Sequence, residues 1–356
     1  MGVFNVKLDI LFLFTFSSKN LNFINLFITL YNVVKAIIRN LKINTMKKLT
    51  LLIVAILMAF ASEAKPKQSD SKIDLRIGSY NVWAHYARAG LVKKGKAAEG
   101  RTWDNSKQAV ADLIVKLDCD FIGMQEVSGV CRDDLAKLVK KSGGKKYELW
   151  WVNTYPETHR RVVGNAVFFN KKKFKVEDRN IYYFSPTPEV MSKGWDEKRY
   201  YRAALTAVVT HKKSGKKFFF IATHGPLAKE AKVHAGRLLV EFDKMYNKEG
   251  LPTIVVGDMN SRPGDGFHQN MLKHFEDCYL VAEKKCGNVG TFNSAAGLDK
   301  NFTLEHRRID HIYVHSTDKG NIKVKSYEVN RDKFKFGDAE YYPSDHNPVV
   351  VDLTLK

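Results

Sequence analysis

The feature that most constrains this chain is a series of short apolar segments, each ending in a polar residue, recurring from residue 73 to the C-terminus without internal repeat or long linker. Residues 73–83 set Leu75, Ile77 and Tyr80 among polar neighbours, the period-2 pattern of a half-buried strand. Residues 120–127 form a short, mostly apolar strand that ends in Gln125 and Glu126. Residues 149–153, 166–170, 205–211 and 218–224 read as further strands. The last two bracket Lys212-Lys213-Ser214-Gly215-Lys216-Lys217, a turn composition that makes them a hairpin. Residues 253–257 run into Asp258-Met259-Asn260, and residues 309–314 and 349–353 close the series. Two helical stripes interrupt it: Val110, Leu113, Ile114 and Leu117, then Leu238, Phe242, Met245 and Tyr246. Many strands and few helices predict two sheets packed face to face with helices outside.

The first 64 residues do not share this pattern. Met46-Lys47-Lys48 opens a basic stretch, residues 49–60 are apolar, and Ser62-Glu63-Ala64 offers a small-x-small cleavage site. That is the layout of a secretory signal peptide. The apolar run falls short of the about 20 residues that span a bilayer, and no cysteine directly follows it for a lipid anchor. Asn22, Asn25, Asn32 and Lys35 interrupt the apolar stretch ahead of it, so residues 1–45 read as a mis-called leader with translation starting at Met46. The expected organisation is leader 1–45, signal peptide 46–64, short linker 65–72 and one domain 73–356, exported to the periplasm or beyond the cell.

Formal net charge is +20, of which the first 64 residues hold seven Lys/Arg against two Asp/Glu. A basic surface suits an anionic partner such as nucleic acid or a phosphorylated headgroup. Much of the lysine, however, sits in turns such as Lys140-Lys141-Ser142-Gly143-Gly144-Lys145-Lys146, where it serves solubility equally well. Of the four cysteines, Cys278 and Cys286 are close enough to close a small disulfide loop, while Cys119 and Cys131 read as buried thiols. None has the spacing of a zinc site.

Read in order, the strand ends supply Asn81, Glu126, His224, Asp258 with Asn260, Asp310, and Asp345 with His346. Their settings are Ser79-Tyr80-Asn81-Val82, Gly123-Met124-Gln125-Glu126-Val127, Thr223-His224, Gly257-Asp258-Met259-Asn260, Arg308-Ile309-Asp310-His311-Ile312 and Ser344-Asp345-His346-Asn347-Pro348. This ordered set resembles the motifs of the endonuclease/exonuclease/phosphatase superfamily, which takes in DNase I-like nucleases, apurinic endonucleases, inositol polyphosphate 5-phosphatases and bacterial sphingomyelinases. Ser192-Lys193-Gly194-Trp195-Asp196, followed by Arg202, is similar to an exported bacterial branch of it. The resemblance spans residues 73–355 and implies an α/β fold, a four-layer αββα sandwich of two mixed β-sheets flanked by helices.

It also implies roles. A phosphate ester is anionic, so its hydrolysis calls for a cation, and hard oxygen donors suit magnesium, with manganese or calcium as substitutes. The metal ligands would be Glu126, Asn81 and Asp345. Asp258 would align or deprotonate the attacking water, Asn260 and His224 would contact phosphate, and Asp310 would fix the tautomer of His346 at the phosphoryl oxygen. Asn165 and Arg202 are further phosphate donors. Two departures stand out. Ala222 precedes Thr223-His224 where many members have Asn, and Arg160-Arg161-Val162-Val163-Gly164-Asn165-Ala166 lacks the carboxylate of DNase-like members. A pair of equally supported histidines is therefore not expected. His85, His159, His234, His268, His274 and His306 read as surface or packing residues, and His311 points to the opposite strand face from Asp310. Trp83, Trp195 and Tyr155 are candidates to line a cleft.

The expected activity is an exported metal-dependent phosphoesterase that cleaves phosphodiesters by in-line attack of water, nuclease-like in substrate. The alternative is a phosphatase or phospholipase C-like enzyme acting on inositol phosphates, sugar phosphates or phospholipid headgroups. A non-catalytic binding module on the same fold is the third reading. The partner is the anionic ester itself, possibly nucleic acid, with no stable protein partner and a monomeric state.

Overall fold

The computed structural model describes residues 72–159, 162–286 and 289–356. The expected leader and signal peptide, and Arg160 with Arg161, lie outside these residues. In chain order the first half gives β1 (Ile73–Asn81), α1 (His85–Lys93), α2 (Trp103–Leu117), β2 (Phe121–Ser128), α3 (Gly129–Lys141), β3 (Tyr147–Asn153), β4 (Val163–Asn170), β5 (Phe174–Tyr183), β6 (Ala203–His211) and β7 (Lys217–His224). The second half gives α4 (Lys229–Tyr246), β8 (Thr253–Asp258), α5 (Gly266–Met271), β9 (Glu276–Asp277), α6 (Cys278–Val281), β10 (Lys284–Lys285), β11 (Asp310–His315), β12 (Ile322–Val329), β13 (Phe334–Phe336), β14 (Ala339–Tyr341) and β15 (Val349–Leu355).

One sheet runs β10-β12-β15-β1-β2-β4-β3 and the other β5-β6-β7-β8-β11-β9, with β13 and β14 a separate ribbon. Each sheet is mixed: β1–β2 and β7–β8 are parallel, while β15, β4, β6 and β11 pair antiparallel to them. Alternation along the strands divides the apolar residues between two faces. Ile77, Phe121, Val167, Leu205, Phe220, Ile254 and Val351 meet between the sheets. Ile122, Met124 and Phe168 turn outward onto Val110, Leu113 and Ile114 of α2 and Leu135 of α3. Phe219, Ile221 and Val255 cover Leu239 and Phe242 of α4 and Phe267 of α5. The result is the four-layer αββα sandwich.

Phe121 anchors the inter-sheet layer, with ring centroids of Phe174, Phe220 and Phe218 at 5.0, 5.1 and 5.6 Å. Burial of each such ring stabilises the fold by about 1.5–3 kcal/mol. Close approach elsewhere demands a missing side chain. A Cβ on Gly123 of β2 would lie 2.3 Å from Val256 Cγ2 of β8 and 3.3 Å from Ala222 Cβ of β7. The same crowding accounts for the small residue at 222.

Some expectations require correction. All four cysteines are free thiols, so the Cys278–Cys286 loop is not closed: Cys278 is buried at the start of α6 whereas Cys286 is exposed beyond β10. Strand β5 was not anticipated because its solvent-facing sequence is nearly all charged and a register shift between Glu177 and Asn180 breaks its alternation. Helix α3 carries its own start signal, Ser128 Oγ accepting from the Cys131 N–H.

Candidate active site

Topology gathers the polar strand ends. Asn81 and Glu126 stand at the C-terminal ends of β1 and β2, as do His224 and Asp258 in β7 and β8. The antiparallel partners contribute their N-terminal ends to the same rim. Asp310 pairs with Asp258, Gly164 with Val127, and Val349 with Ser79, which places the preceding Asp345-His346 loop beside β1. Ala204 pairs with Thr223, so Arg202 just ahead of β6 arrives at His224. Three site residues reach inward from a left-handed backbone: Trp83 at φ 57°, Glu126 at 59° and Asn260 at 50°. For Glu126 the cause is local, since the β2–β4 register slips between Met124 and Val127 and the bulge re-aims the side chain.

The buried carboxylate of Asp258 joins the two halves. Its Oδ2 accepts from Asn81 Nδ2 at 2.9 Å and lies 3.3 Å from His224 Nε2 and 3.7 Å from His346 Nε2. Its Oδ1 accepts from the Asn260 N–H at 2.9 Å. Burial opposes its ionisation, but the His346 charge, the two contacts with His224 and the Asn81 amide win, and the carboxyl is held well below its ordinary value. His346 Nδ1 donates to Asp310 Oδ2 at 2.8 Å. Burial pulls this imidazole towards neutrality, yet Asp310, Asp258 and Asp345 overcome it and hold the ring protonated well above the usual histidine range.

The second histidine is built differently. Arg202 Nη1 contacts His224 Nδ1, and a guanidinium can only donate. His224 Nδ1 is therefore the acceptor and Nε2 carries the proton towards Asp258. Burial first, then the Arg202 charge, lowers its affinity for a second proton despite Asp258. The absence of a carboxylate around Asn165 thus has a physical counterpart: an arginine occupies the position beside His224, and the two histidines are unequal.

Glu126 Oε2 accepts from the Ala84 N–H at 3.1 Å, and Oε1 from Asn81 Nδ2 at 3.3 Å. Asp345 faces the same cavity, and burial, with the Glu126 charge against the opposing pull of His346, pushes its carboxyl up to about 6. Two acids crowded in this way are hard-oxygen donors that a divalent cation would relieve, so Glu126 and Asp345 fit the metal that the fold implies, whereas Asn81, the third expected ligand, does not face the cavity. Asn81 itself sits behind the cavity wall, its Oδ1 accepting from the Trp83 N–H at 2.9 Å.

Glu126, Asn165, Arg202, His224, Asp258, Asn260, Asp345 and His346 line one cavity of about 530 Å³, while Asn81 and Asp310 support it from behind. Asn165 spends one amide N–H on the Ala203 carbonyl at 2.8 Å. Trp83 and Tyr155 line the cavity, but Trp195 does not: it stacks on His234 of α4 at 4.0 Å. The sequence reading missed Tyr200, Tyr201 and Phe292, which also line it. It missed two buried arginines as well. Arg88 donates to the carbonyls of Val82, Trp83 and Pro343, and Arg101 to those of Ser344 and Ser294, tying the loop after β1 to the one that carries Asp345. Outside the site, His268 and His311 form a buried group with Asp277 and Arg308, and His274 and His315 gather with Asp243.

Comparisons with known proteins bear on the family and the fold. Residues 78–346 match the family model described as Endonuclease/Exonuclease/phosphatase family. An endonuclease/exonuclease/phosphatase family protein from Bacteroides thetaiotaomicron superposes with a TM-score of 0.69 at 25% identity, over 80% of this chain and 96% of that one. A mannosyl-6-phosphatase from the same organism gives 0.68 at 26% identity, over 78% and 99%. Protein L388 of Acanthamoeba polyphaga mimivirus is 23% identical over 257 residues, 70% of this chain and 91% of that protein.

Proposed function

We propose that this chain, which belongs to the endonuclease/exonuclease/phosphatase family, is a metal-dependent hydrolase of small phosphate esters. The observation that carries the reading is the convergence of the hydrogen-bonded His346–Asp310 pair, Asp258 and an arginine-bound His224 on one cavity. A magnesium, manganese or calcium ion held by Glu126 and Asp345, with Asn81 bracing Glu126 from behind, would screen the phosphate and stabilise charge on the leaving oxygen.

The chain's own groups supply the rest. Arg202, braced by His224, binds a phosphoryl oxygen, and His346 donates Nε2–H to another as charge develops there. Asp258 aligns the attacking water through an oxygen already poised between both histidines. Its depressed basicity suits orientation and late proton acceptance better than early deprotonation. Asn260, held by its Nδ2 on the Gly225 carbonyl at 3.1 Å, keeps the Asp258 carboxylate from rotating through its own N–H.

For the substrate, the cavity favours the phosphatase reading over the nuclease one. Among the described residues its lining offers one arginine and no lysine, whereas a polyanion is held by many cations along a groove. The similar mannosyl-6-phosphatase, at 26% identity, supports a small ester. The basic charge, +20 for the chain and +15 without the seven Lys/Arg and two Asp/Glu of residues 1–64, favours nucleic acid, so both belong in the test. The purified protein should be assayed with magnesium, manganese or calcium on hexose 6-phosphates, inositol phosphates, bis-p-nitrophenyl phosphate, plasmid DNA and RNA, alongside Glu126→Ala and His346→Ala. Metal-dependent turnover of a small ester, lost in both variants, is expected; no metal-dependent hydrolysis of any of them sinks the reading. Export through residues 46–64 belongs to the same proposal. N-terminal sequencing of secreted protein should find Lys65 first, and a distant mature end would count against it.

A further inference from the structure

The segment from Gly194 to Arg202 is fastened to α4 by two carboxylates. The helix cannot cap itself, because its N-cap residue is Ala228, whose side chain makes no cap hydrogen bond. Asp196 does so from outside, accepting from the Glu230 and Ala231 N–H groups at 3.1 and 2.8 Å. Glu197, only 5% exposed, spends its Oε2 on the Leu227 and Ala228 N–H groups at 3.0 and 3.4 Å. Its Oε1 turns back on its own segment and accepts from the Arg199 and Tyr200 N–H groups at 3.0 and 3.3 Å. Trp195 adds the His234 stack, from a left-handed backbone at φ 51°. Gly194 lies so near Phe184 that a Cβ would meet its carbonyl oxygen at 2.3 Å.

What this lock delivers to the cavity is Tyr200, Tyr201 and Arg202. Arg202 lies over the Tyr200 ring at 4.5 Å, and Tyr201 meets Tyr155 edge to face at 5.3 Å. The cavity therefore has two chemically distinct sides. One carries the acids, histidines and Arg202; the other is tyrosine, with no further charged side chain in its lining among the described residues and with Lys193 lying over the Tyr201 ring at 5.0 Å. Tyrosine offers a flat apolar face with a hydroxyl at its edge, which matches a ring that bears hydroxyl groups and no charge.

Resting on the phosphoesterase reading above, we propose that residues 194–202 form a rigid specificity wall, with Glu197 as its positioning residue and Tyr201 as its contact. The wall selects phosphate esters whose alcohol is an uncharged, hydroxylated ring. Glu197 touches neither phosphate nor metal; it acts through the two tyrosines that follow it.

The test compares kcat/KM for a hexose 6-phosphate with that for an acyclic ester, glycerol 3-phosphate, in the full-length protein. The ratio should favour the ring and fall about tenfold in Tyr201→Ala, the scale of one lost pocket contact. The loss should lie in KM, and Tyr201→Phe should restore it. Glu197→Gln, which sets an amide N–H against backbone donors, should lower the ratio in the same direction. Binding of a hexose 6-phosphonate by calorimetry reads the wall without turnover, and it should weaken in Tyr201→Ala. A ratio unmoved by both variants, or an equal fall in kcat for both esters, overturns the proposal. Phosphonate binding that weakens as expected without hydrolysis of any ester leaves the wall standing and removes the hydrolase reading instead. A phosphonate that does not bind at all removes the wall.

Discussion

Asp310→Asn is the perturbation that most directly separates electrostatic from merely structural support of His346. It preserves the size of the side chain and removes the charge that accepts His346 Nδ1–H at 2.8 Å. Both residues are buried, so solvent does little to replace that interaction. A hydrogen bond to a charged partner contributes about 1.5–3 kcal/mol. At about 1.4 kcal/mol per power of ten, its loss corresponds to a fall of about ten- to a hundredfold. The sign follows from the folded-state titration. His346 is held protonated above its ordinary range, chiefly by Asp310 and Asp258 against burial, and the protonated ring is the working form. Wild-type activity should therefore disappear as pH rises through that raised value. In the variant the alkaline limb should move to lower pH, with the ten- to hundredfold loss of kcat/KM confined to the alkaline side. The assay is kcat/KM against pH at one saturating metal concentration for both proteins, so that any influence of the ion is common to the two curves. An alkaline limb that does not move, or a loss equal at every pH, would refute the electrostatic role of Asp310.

Two stability predictions accompany it. Asp277→Asn leaves Arg308, a fully buried guanidinium now bonded to Asp277 at 2.7 Å, without its counter-charge and should cost about 3–5 kcal/mol in urea unfolding. Burial opposes ionisation of Asp277, but His268, His311 and Arg308 hold its carboxyl below the ordinary value. Its contribution is therefore complete above the unfolded-state value of about 3.9 and lost as pH falls through the folded one. The gap between wild type and variant should narrow in acid, and a gap of constant size from neutrality to pH 3 would contradict this. Gly123→Ala should lose about 1–3 kcal/mol through the clash with Val256, partly recovered by Val256→Ala in the same chain. A Gly123→Ala protein as stable as wild type would show that the two sheets can part there without cost.

The regular parts of the fold were legible because their periods are clean. Trp103–Leu117 and Lys229–Tyr246 bury one stripe each, and the hairpin of β6 and β7 announces itself by its lysine-glycine turn. Most of the site residues were legible for a related reason: they stand at or beside the ends of apolar strands. Their mutual arrangement was not, since it depends on register, a long-range property that places Asp258 opposite both His224 and Asp310. Arg202 beside His224 was likewise out of reach, because nothing in Tyr200-Tyr201-Arg202 tells that β6 begins one residue later. Glu197 looked like any surface acid in a charged loop; only the uncapped helix it faces gives it a task. Cys278 and Cys286 misled in the opposite direction, being near in sequence while one turns into the core and the other does not.

The Asn81 amide donates to Asp258 in one sheet and Glu126 in the other, so it spans the seam between them. Neither sheet alone owns the chemistry, and the outermost site residues stand 265 positions apart, at Asn81 and His346. Secondary structure within either layer can form early and remain inert. Regain of turnover during refolding should then trail the recovery of far-ultraviolet dichroism and coincide with closure of the Phe121 layer, which makes catalysis a clock for the last long-range event in the folding of this chain.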